Sequence, residues 1–208
     1  MLIPPPLSLY VHMPWCVRKC PYCDFNSHQG KGELPFDDYV DALLRDLDHD
    51  LPLVWGRTVH SVFFGGGTPS LFPPEAIDRF LQGASSRLRF APGLEITLET
   101  NPGTAEHGRF ENYRAAGVNR ISFGIQSFDD ESLKKLGRIH DSQEAEHAVK
   151  LAQDAGFDGF AVGHLEPVHD GPHPVAREDA HQRIVQAQVE ARGAGVALAA
   201  RTATQLVV

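Results

Sequence analysis

The feature that most constrains the fold of this chain is a repeated alternation of short apolar segments with amphipathic ones. The apolar segments have the composition of strands, and in the segments between them apolar residues recur at helical spacing. Strands are predicted at residues 8–12, 59–64, 94–100, 120–126 and 157–162, and helices at 36–47, 73–88, 110–116, 130–136 and 142–155. Because this alternation produces parallel sheets with helical crossovers, an α/β fold is expected.

The loops that follow the predicted strands carry most of the unusual residues of the chain. A cysteine-rich loop follows the first strand, and three glycines at 65–67 follow the second. Glu99 to Pro102 lie at the end of the third strand, and Gln126 ends the fourth. Functional sites on parallel sheets lie at the carboxyl ends of the strands. These four features are therefore expected to meet at one rim.

All three cysteines of the 208-residue chain, Cys16, Cys20 and Cys23, lie within eight residues in a C-x3-C-x2-C pattern. Secreted disulfide frameworks have an even number of cysteines spread along the chain, so this grouping favours metal binding or redox chemistry. Thiolates are the ligands of iron–sulfur clusters, and three of them on a four-iron cluster leave one iron open to a small molecule. A zinc site completed by His12 or His28 is the alternative that the spacing leaves open.

The overall composition limits the possible partners. The formal net charge is −8 and no long basic run occurs, so no nucleic-acid partner is expected. No apolar run reaches the roughly 20 residues of a transmembrane helix. The first six residues lack the basic and apolar segments of a secretory signal. A cytoplasmic location is therefore expected.

Several motifs resemble those of the radical S-adenosylmethionine (SAM) superfamily. Within it, the chain is similar to the oxygen-independent coproporphyrinogen III oxidase-like family over roughly residues 7–160. The motifs are Leu-Tyr-Val-His-Met-Pro-Trp-Cys at 9–16, Gly-Gly-Gly-Thr-Pro-Ser at 65–70, Glu-Thr-Asn-Pro at 99–102, Phe-Gly-Ile-Gln-Ser-Phe at 123–128 and Leu-Gly-Arg-Ile-His at 136–140. The resemblance implies a partial (β/α) barrel of the radical SAM type.

The resemblance also implies cofactors and residue roles. The cofactors are a [4Fe–4S] cluster and SAM, and the cluster ligands would be Cys16, Cys20 and Cys23. Residues implied to contact SAM or pack beside it are Tyr10, Tyr22, Gly66, Gly67, Thr68, Glu99, Gln126 and Arg138. Each role has a plainer alternative, because glycines also make tight turns, Tyr10 could belong only to the core, and Glu99 and Arg138 could be ordinary solvated charges.

The position two residues after the third cysteine separates two branches of this family. The resemblance implies a further cysteine two residues after the third ligand in the oxidases, whereas this chain has Phe25 there. The Cys-Asp-Phe-Asn-Ser sequence at 23–27 is closest to the heme-chaperone branch, HemW, which implies heme as a further ligand. An oxidase that decarboxylates a porphyrinogen, with oxidoreductase chemistry of the coproporphyrinogen dehydrogenase type, stays the alternative. Two further alternatives are a zinc-binding module and a truncated product without a working site.

The C-terminal part departs from the family pattern. Every aromatic residue lies at or before Phe160, and the family's SAM-proximal Asp falls at Gly163. The chain is therefore divided into a radical SAM core of residues 1–160, an incomplete barrel, and an atypical tail of residues 161–208. A polar helix is predicted at 178–192. A disrupted reading frame near residue 160, a truncation and a genuine short variant are the three hypotheses for this tail.

Overall fold

The computed structural model describes residues 5–104, 107–164 and 204–207, and the helix predicted at 178–192 lies outside them. The main sheet has six strands in the order β7-β6-β5-β4-β1-β8, and a separate two-stranded sheet pairs β2 with β3. The strands are β1 Leu7–Met13, β2 Trp15–Cys16, β3 His28–Gln29, β4 Thr58–Gly66, β5 Arg89–Thr100, β6 Arg120–Gln126, β7 Phe160–His164 and β8 Thr204–Val207.

Helices lie between the successive strands β1, β4, β5, β6 and β7 of the main sheet. They are α1 Phe36–Asp50, α2 Pro74–Ser85, α3 His107–Ala115, α4 Asp130–Lys135 and α5 Ser142–Asp154. All pairings among β1, β4, β5, β6 and β7 are parallel, which helical crossovers require. The predicted α/β fold class is therefore confirmed.

Strand β1 shows how the sheet orients the site. Leu7, Leu9, Val11 and Met13 are almost completely buried on one face, while the residues between them are half-buried on the other. Because successive side chains of a strand point to opposite faces, the second face includes Tyr10. The first face packs in the core with the apolar stripes of the helices.

The predicted starts of two strands were wrong by three or more residues, because pairing and packing decide them. Strand β5 begins at Arg89 instead of Leu94, since its first residues pair with β4 across a register irregularity that accommodates Pro92 and Gly93. Strand β7 begins at Phe160 instead of Phe157. Phe157 is nevertheless buried, because its ring packs against Phe110 with centroids 6.2 Å apart.

Helix α2 begins as predicted and ends earlier than expected. Pro73 caps the helix and Pro74 occupies its first turn, where the missing N–H costs nothing. The helix ends at Ser85, so Leu88 lies beyond it. Leu88 keeps the predicted apolar environment, since its side chain is buried in the segment that leads to β5.

Strand β8 was not predicted. Its residues 204–207 pair antiparallel with β1 on the edge opposite β4, from Ser8 to Val11. The sequence analysis found no strand pattern in the tail. The backbone of β1 therefore has hydrogen-bonding partners on both sides over these four residues.

Replacing Asp141 with alanine should lower the free energy of unfolding by about 1 kcal/mol. The Asp141 carboxylate accepts a hydrogen bond from the Glu144 N–H at 2.8 Å, and the Glu144 carboxylate accepts one from the Asp141 N–H at 2.9 Å. The substitution breaks this reciprocal cap of α5. Urea unfolding followed by circular dichroism measures the loss. The exposed Glu146→Ala on the same helix is the matched control, and equal stabilities of the two variants would contradict the prediction.

Candidate functional site

A cavity of about 460 Å³ runs along the sheet face that includes Tyr10, from residues near the strand starts such as Ser8 and Ser61 to the carboxyl ends of the parallel strands. All of the predicted cluster and SAM residues line it, together with Phe25, Thr100 and Asn101. Those predicted residues are Tyr10, Cys16, Cys20, Tyr22, Cys23, Gly66, Gly67, Thr68, Glu99, Gln126 and Arg138. The structure therefore brings together residues from five strands and three loops, and their roles toward a ligand stay predictions.

The cysteine loop contributes three free thiols to this cavity. Cys16 lies on β2 and is buried, while Cys20 and Cys23 are half-buried in a turn closed by the Cys23 N–H and the Cys20 carbonyl at 3.1 Å. Burial raises the pKa of the Cys16 thiol, although the hydroxyls of Thr68 and Ser27 oppose that rise. Three thiols on one short loop match the ligand set of a cluster with one open iron.

The same residues do not converge on a single ion. Among the side chains that the structure describes, no group of three or more His, Cys, Asp or Glu is arranged to hold one metal ion. His12, a ligand considered for zinc, lies within hydrogen-bonding distance of the Asn26 carbonyl, with its Nε2 at 2.7 Å. His28 is exposed on β3. A cluster places each cysteine on a different iron, so the arrangement fits a cluster better than a zinc ion.

The glycines after β4 allow close packing of the backbone against the cysteine strand. A Cβ at Gly67 would lie 2.7 Å from the Trp15 carbonyl oxygen, and the Gly67 N–H donates to the Met13 carbonyl at 2.6 Å. Gly66 has a φ of 114°, a conformation that side-chain-bearing residues rarely adopt. The close approach of the backbone of residues 13–15 therefore requires glycine at these positions, whether or not a ligand also contacts them.

Glu99 connects the ends of two strands. Its carboxylate accepts a hydrogen bond from the Gly66 N–H at 3.2 Å, so the glycine turn and β5 are held together at the cavity. The side chain is half-buried. It is therefore more than an ordinary solvated charge, which was the plainer alternative.

Gln126 ends β6 in a strained conformation. Its φ of 72° makes it the only residue other than glycine with a positive φ in the described ranges. The β6–β7 register shifts between Phe123 and Gln126, so the ladder is irregular where this residue enters the cavity. Strained backbone of this kind costs of order 1–3 kcal/mol and is often found at functional sites.

Arg138 links the cysteine loop to β6. Its Nη1 donates to the Cys20 Sγ and to the Tyr22 hydroxyl, both at 3.3 Å, and its Nη2 donates to the Gly124 carbonyl. The buried Nε has no hydrogen-bond partner among the described residues. Burial raises the pKa of Tyr22 to about 12 against the opposing charge of Arg138, so the phenol stays neutral at physiological pH.

Unpartnered polar atoms at the cavity test whether the predicted cofactors fit. The Arg138 Nε and the Thr100 Oγ1 are both buried without a partner in the described part of the chain, and both residues line the cavity. Buried polar groups are normally hydrogen-bonded, so these two atoms mark polar positions at the cavity wall that the described residues leave unsatisfied. Three free thiols beside them fit a cluster together with a small, charged molecule such as SAM.

Sequence reasoning missed two polar residues of the cysteine loop. The Lys19 ammonium donates to the carbonyls of Phe25 and Ser27 at 3.1 and 3.0 Å, which ties the two arms of the loop together. The Ser27 side chain is buried next to the cysteines. The only signal in the sequence for these two residues was their position, since Lys19 lies between Cys16 and Cys20 and Ser27 follows Cys23.

Comparison with known proteins agrees with this geometry. The sequence model of the Radical SAM superfamily matches residues 10–180. This chain belongs to the radical SAM superfamily. Members of the family use a [4Fe–4S] cluster and SAM, so the predicted cofactor class is confirmed. The match continues 20 residues past the boundary predicted at residue 160.

The predicted resemblance within the family is also confirmed. The chain is 54% identical over 180 residues to the heme chaperone HemW of Escherichia coli, covering 86% of this chain and 48% of that protein. It is 50% identical over 178 residues to HemW of Haemophilus influenzae, covering 84% and 46%. It thus spans about half the length of the curated relatives it matches.

A solved structure shows the same fold. Coproporphyrinogen III oxidase (HemN) from Escherichia coli, a radical SAM enzyme, superposes with a TM-score of 0.71 and 29% identity, over 87% of this chain and 42% of that one. The predicted radical SAM fold is therefore confirmed. In the described ranges, no helix combines the length and the apolar character that spanning a membrane requires.

Proposed function

We propose that this chain is a radical SAM protein of the HemW type, which holds a [4Fe–4S] cluster on Cys16, Cys20 and Cys23 and binds SAM in the adjoining cavity. The observation that carries this proposal is the convergence of three free thiols with all the predicted SAM residues on one cavity. The high identity to two HemW proteins supports the branch.

Different residues around the cavity are suited to different groups of SAM. The Arg138 guanidinium, with its unpartnered Nε, suits the carboxylate of SAM, because a planar fork of donors matches a carboxylate. Glu99 accepts hydrogen bonds, as the ribose hydroxyls require. Gln126, fixed in its strained conformation, offers both a donor and an acceptor. The glycine turn and Thr68 form the wall nearest the cysteines.

The chemistry itself belongs to the cofactors. When bound, a cluster with one open iron supplies the electron that cleaves a carbon–sulfur bond of SAM. The chain orients SAM against the cysteine loop through Arg138, which touches Cys20 and faces the same cavity.

Two observations bear on the choice between chaperone and oxidase. Phe25 lines the cavity where the oxidases are expected to carry a further cysteine, which favours the heme chaperone. The likeness to HemN keeps the oxidase as the second candidate.

The cytoplasmic location and the division at residue 160 stay proposals. The grouped cysteines support the location, and the loss of aromatic residues after Phe160 supports the division.

Anaerobic reconstitution with iron and sulfide tests the proposal. The chain should take up about four iron and four sulfide ions, and SAM should alter the EPR signal of the reduced cluster. Binding of zinc without sulfide would support the zinc module instead. A cluster whose EPR signal does not change when SAM is added would indicate a truncated protein without a working SAM site.

Heme and porphyrinogen assays separate the two candidates. A heme chaperone should bind heme in an absorbance titration and leave a porphyrinogen unchanged under reducing, anaerobic conditions with SAM. Decarboxylation of the porphyrinogen by the reconstituted chain would establish the oxidase instead. Phe25→Cys is the informative variant, because it introduces the residue expected of the oxidases at the cavity wall.

A further inference from the structure

We propose that the Ser27 hydroxyl donates a hydrogen bond to one cysteine sulfur of the cluster, at Cys23 or Cys16, and thereby raises the reduction potential of the cluster. The inference rests on the proposed function, because it requires a cluster on the cysteine loop. It assigns a redox-tuning role to a residue outside the ligand set and outside the SAM contacts predicted above.

The position of Ser27 carries the inference. Its side chain is only 1% exposed, although serine is usually found at the surface. Its Oγ lies 3.8 Å from the Cys23 Sγ, within the longer range typical of hydrogen bonds to sulfur. The same hydroxyl opposes the rise that burial causes in the pKa of the Cys16 thiol. One buried hydroxyl therefore faces the Cys23 sulfur and lies close to Cys16.

The chemistry of the bound state decides which atom donates. A cysteine that binds iron is a thiolate and has no proton to give. The serine hydroxyl has one proton and two lone pairs, so it must be the donor to the Cys23 or Cys16 sulfur. With the cluster present, the contact becomes a hydrogen bond from a neutral donor to a charged sulfur, which is stronger than one between neutral groups.

The backbone holds Ser27 in this place from both sides. Its N–H donates to the Phe25 carbonyl at 2.7 Å, and its carbonyl accepts from the Lys19 ammonium at 3.0 Å. The next residue, His28, donates its N–H to the Pro14 carbonyl at 2.7 Å and pairs with Trp15 on β2. The backbone of Ser27 is therefore fixed relative to the strand that carries Cys16.

Hydrogen bonds to the sulfurs of an iron–sulfur cluster stabilise the reduced form, which carries one more negative charge. Their number and strength are among the properties by which a protein sets the potential. Loss of the Ser27 hydroxyl should therefore shift the midpoint potential to a more negative value, while the three thiolate ligands remain in place.

The experiment is an EPR-monitored redox titration of the reconstituted full chain and of three variants. Ser27→Ala should keep its iron and sulfide and show a more negative midpoint potential. Ser27→Thr keeps a hydroxyl and should restore the potential toward that of the unchanged chain. Ser86→Ala is the control, because Ser86 donates to the Gly83 carbonyl at the end of α2, away from the cysteines.

A second measurement leaves Ser27 in place and removes the Arg138 hydrogen bond to the Cys20 sulfur. Resonance Raman spectra of cluster-bearing Arg138→Ala should still show shifts of the iron–cysteine stretching bands when water is exchanged for D2O, because a deuteron then replaces the proton donated by Ser27. If Ser27→Ala loses its cluster, this measurement decides, and bands that do not move overturn the inference. An unchanged potential in a cluster-bearing Ser27→Ala overturns it as well. Failure of the unchanged chain to take up a cluster would instead count against the proposed function.

Discussion

Cys20→Ala should abolish retention of the cluster after anaerobic reconstitution. One iron loses its thiolate, and no other cysteine exists in the chain to replace it. The change also removes the sulfur that accepts a hydrogen bond from Arg138 at 3.3 Å. Iron and sulfide analysis after desalting, together with loss of the broad charge-transfer absorbance, measures the effect.

The matched control for this variant is Val17→Ala. Val17 lies in the same loop and is exposed, so its truncation removes little buried surface and no ligand. Circular dichroism should show that both variants keep the fold, since Cys20 is only half-buried. An iron content of Cys20→Ala equal to that of the unchanged chain would refute the ligand assignment.

Arg138→Ala should weaken SAM binding by roughly 10- to 100-fold, which corresponds to the loss of a hydrogen bond to a charged group. The guanidinium reaches the cavity from the segment between α4 and α5, and its buried Nε is unpartnered among the described residues. Alanine removes both the charge and the fork of donors that fits a carboxylate. Equilibrium binding of SAM to the reconstituted protein measures the effect.

Two further variants make the Arg138 result interpretable. Arg138→Lys keeps the charge without the planar fork and should have an intermediate affinity. Arg87→Ala removes a surface arginine that pairs with Asp48 on α1, and it should leave the affinity unchanged. Because Arg138 also contacts Cys20, the iron content of each variant is measured first. Wild-type affinity in a cluster-bearing Arg138→Ala would contradict the proposed SAM contact.

Much of the fold could be predicted because its signals are local. The alternation along β1 and the helical spacing in α1 and α5 each reflect one face turned toward the core. Strand β8 could not be predicted, because its residues carry no strand pattern of their own and are held by pairing with β1. The early start of β5 depends in the same way on the neighbouring strand β4.

The sequence could predict which residues belong to the candidate site. It could not predict which of those residues contact one another. Parallel strands bring their carboxyl ends to one rim, so motifs at those ends had to meet there. The contact between Arg138 and Cys20 joins residues far apart in the chain and required the fold to be known. The burial of Ser27 against the cysteines follows from the return of the loop as β3, which no local pattern indicated.

The sequence by itself determined the α/β class and the cysteine loop, because periodicity and ligand spacing are properties of short segments. The set of residues predicted at the cavity came from the resemblance of its motifs to those of the radical SAM family. Only the tertiary structure decided how these segments touch. The φ of 72° at Gln126, the packing of Gly67 on the Trp15 carbonyl and the unpartnered Nε of Arg138 all depend on neighbours distant in sequence. Such contacts are set by the packing of whole strands and loops, and a residue's own identity does not specify them.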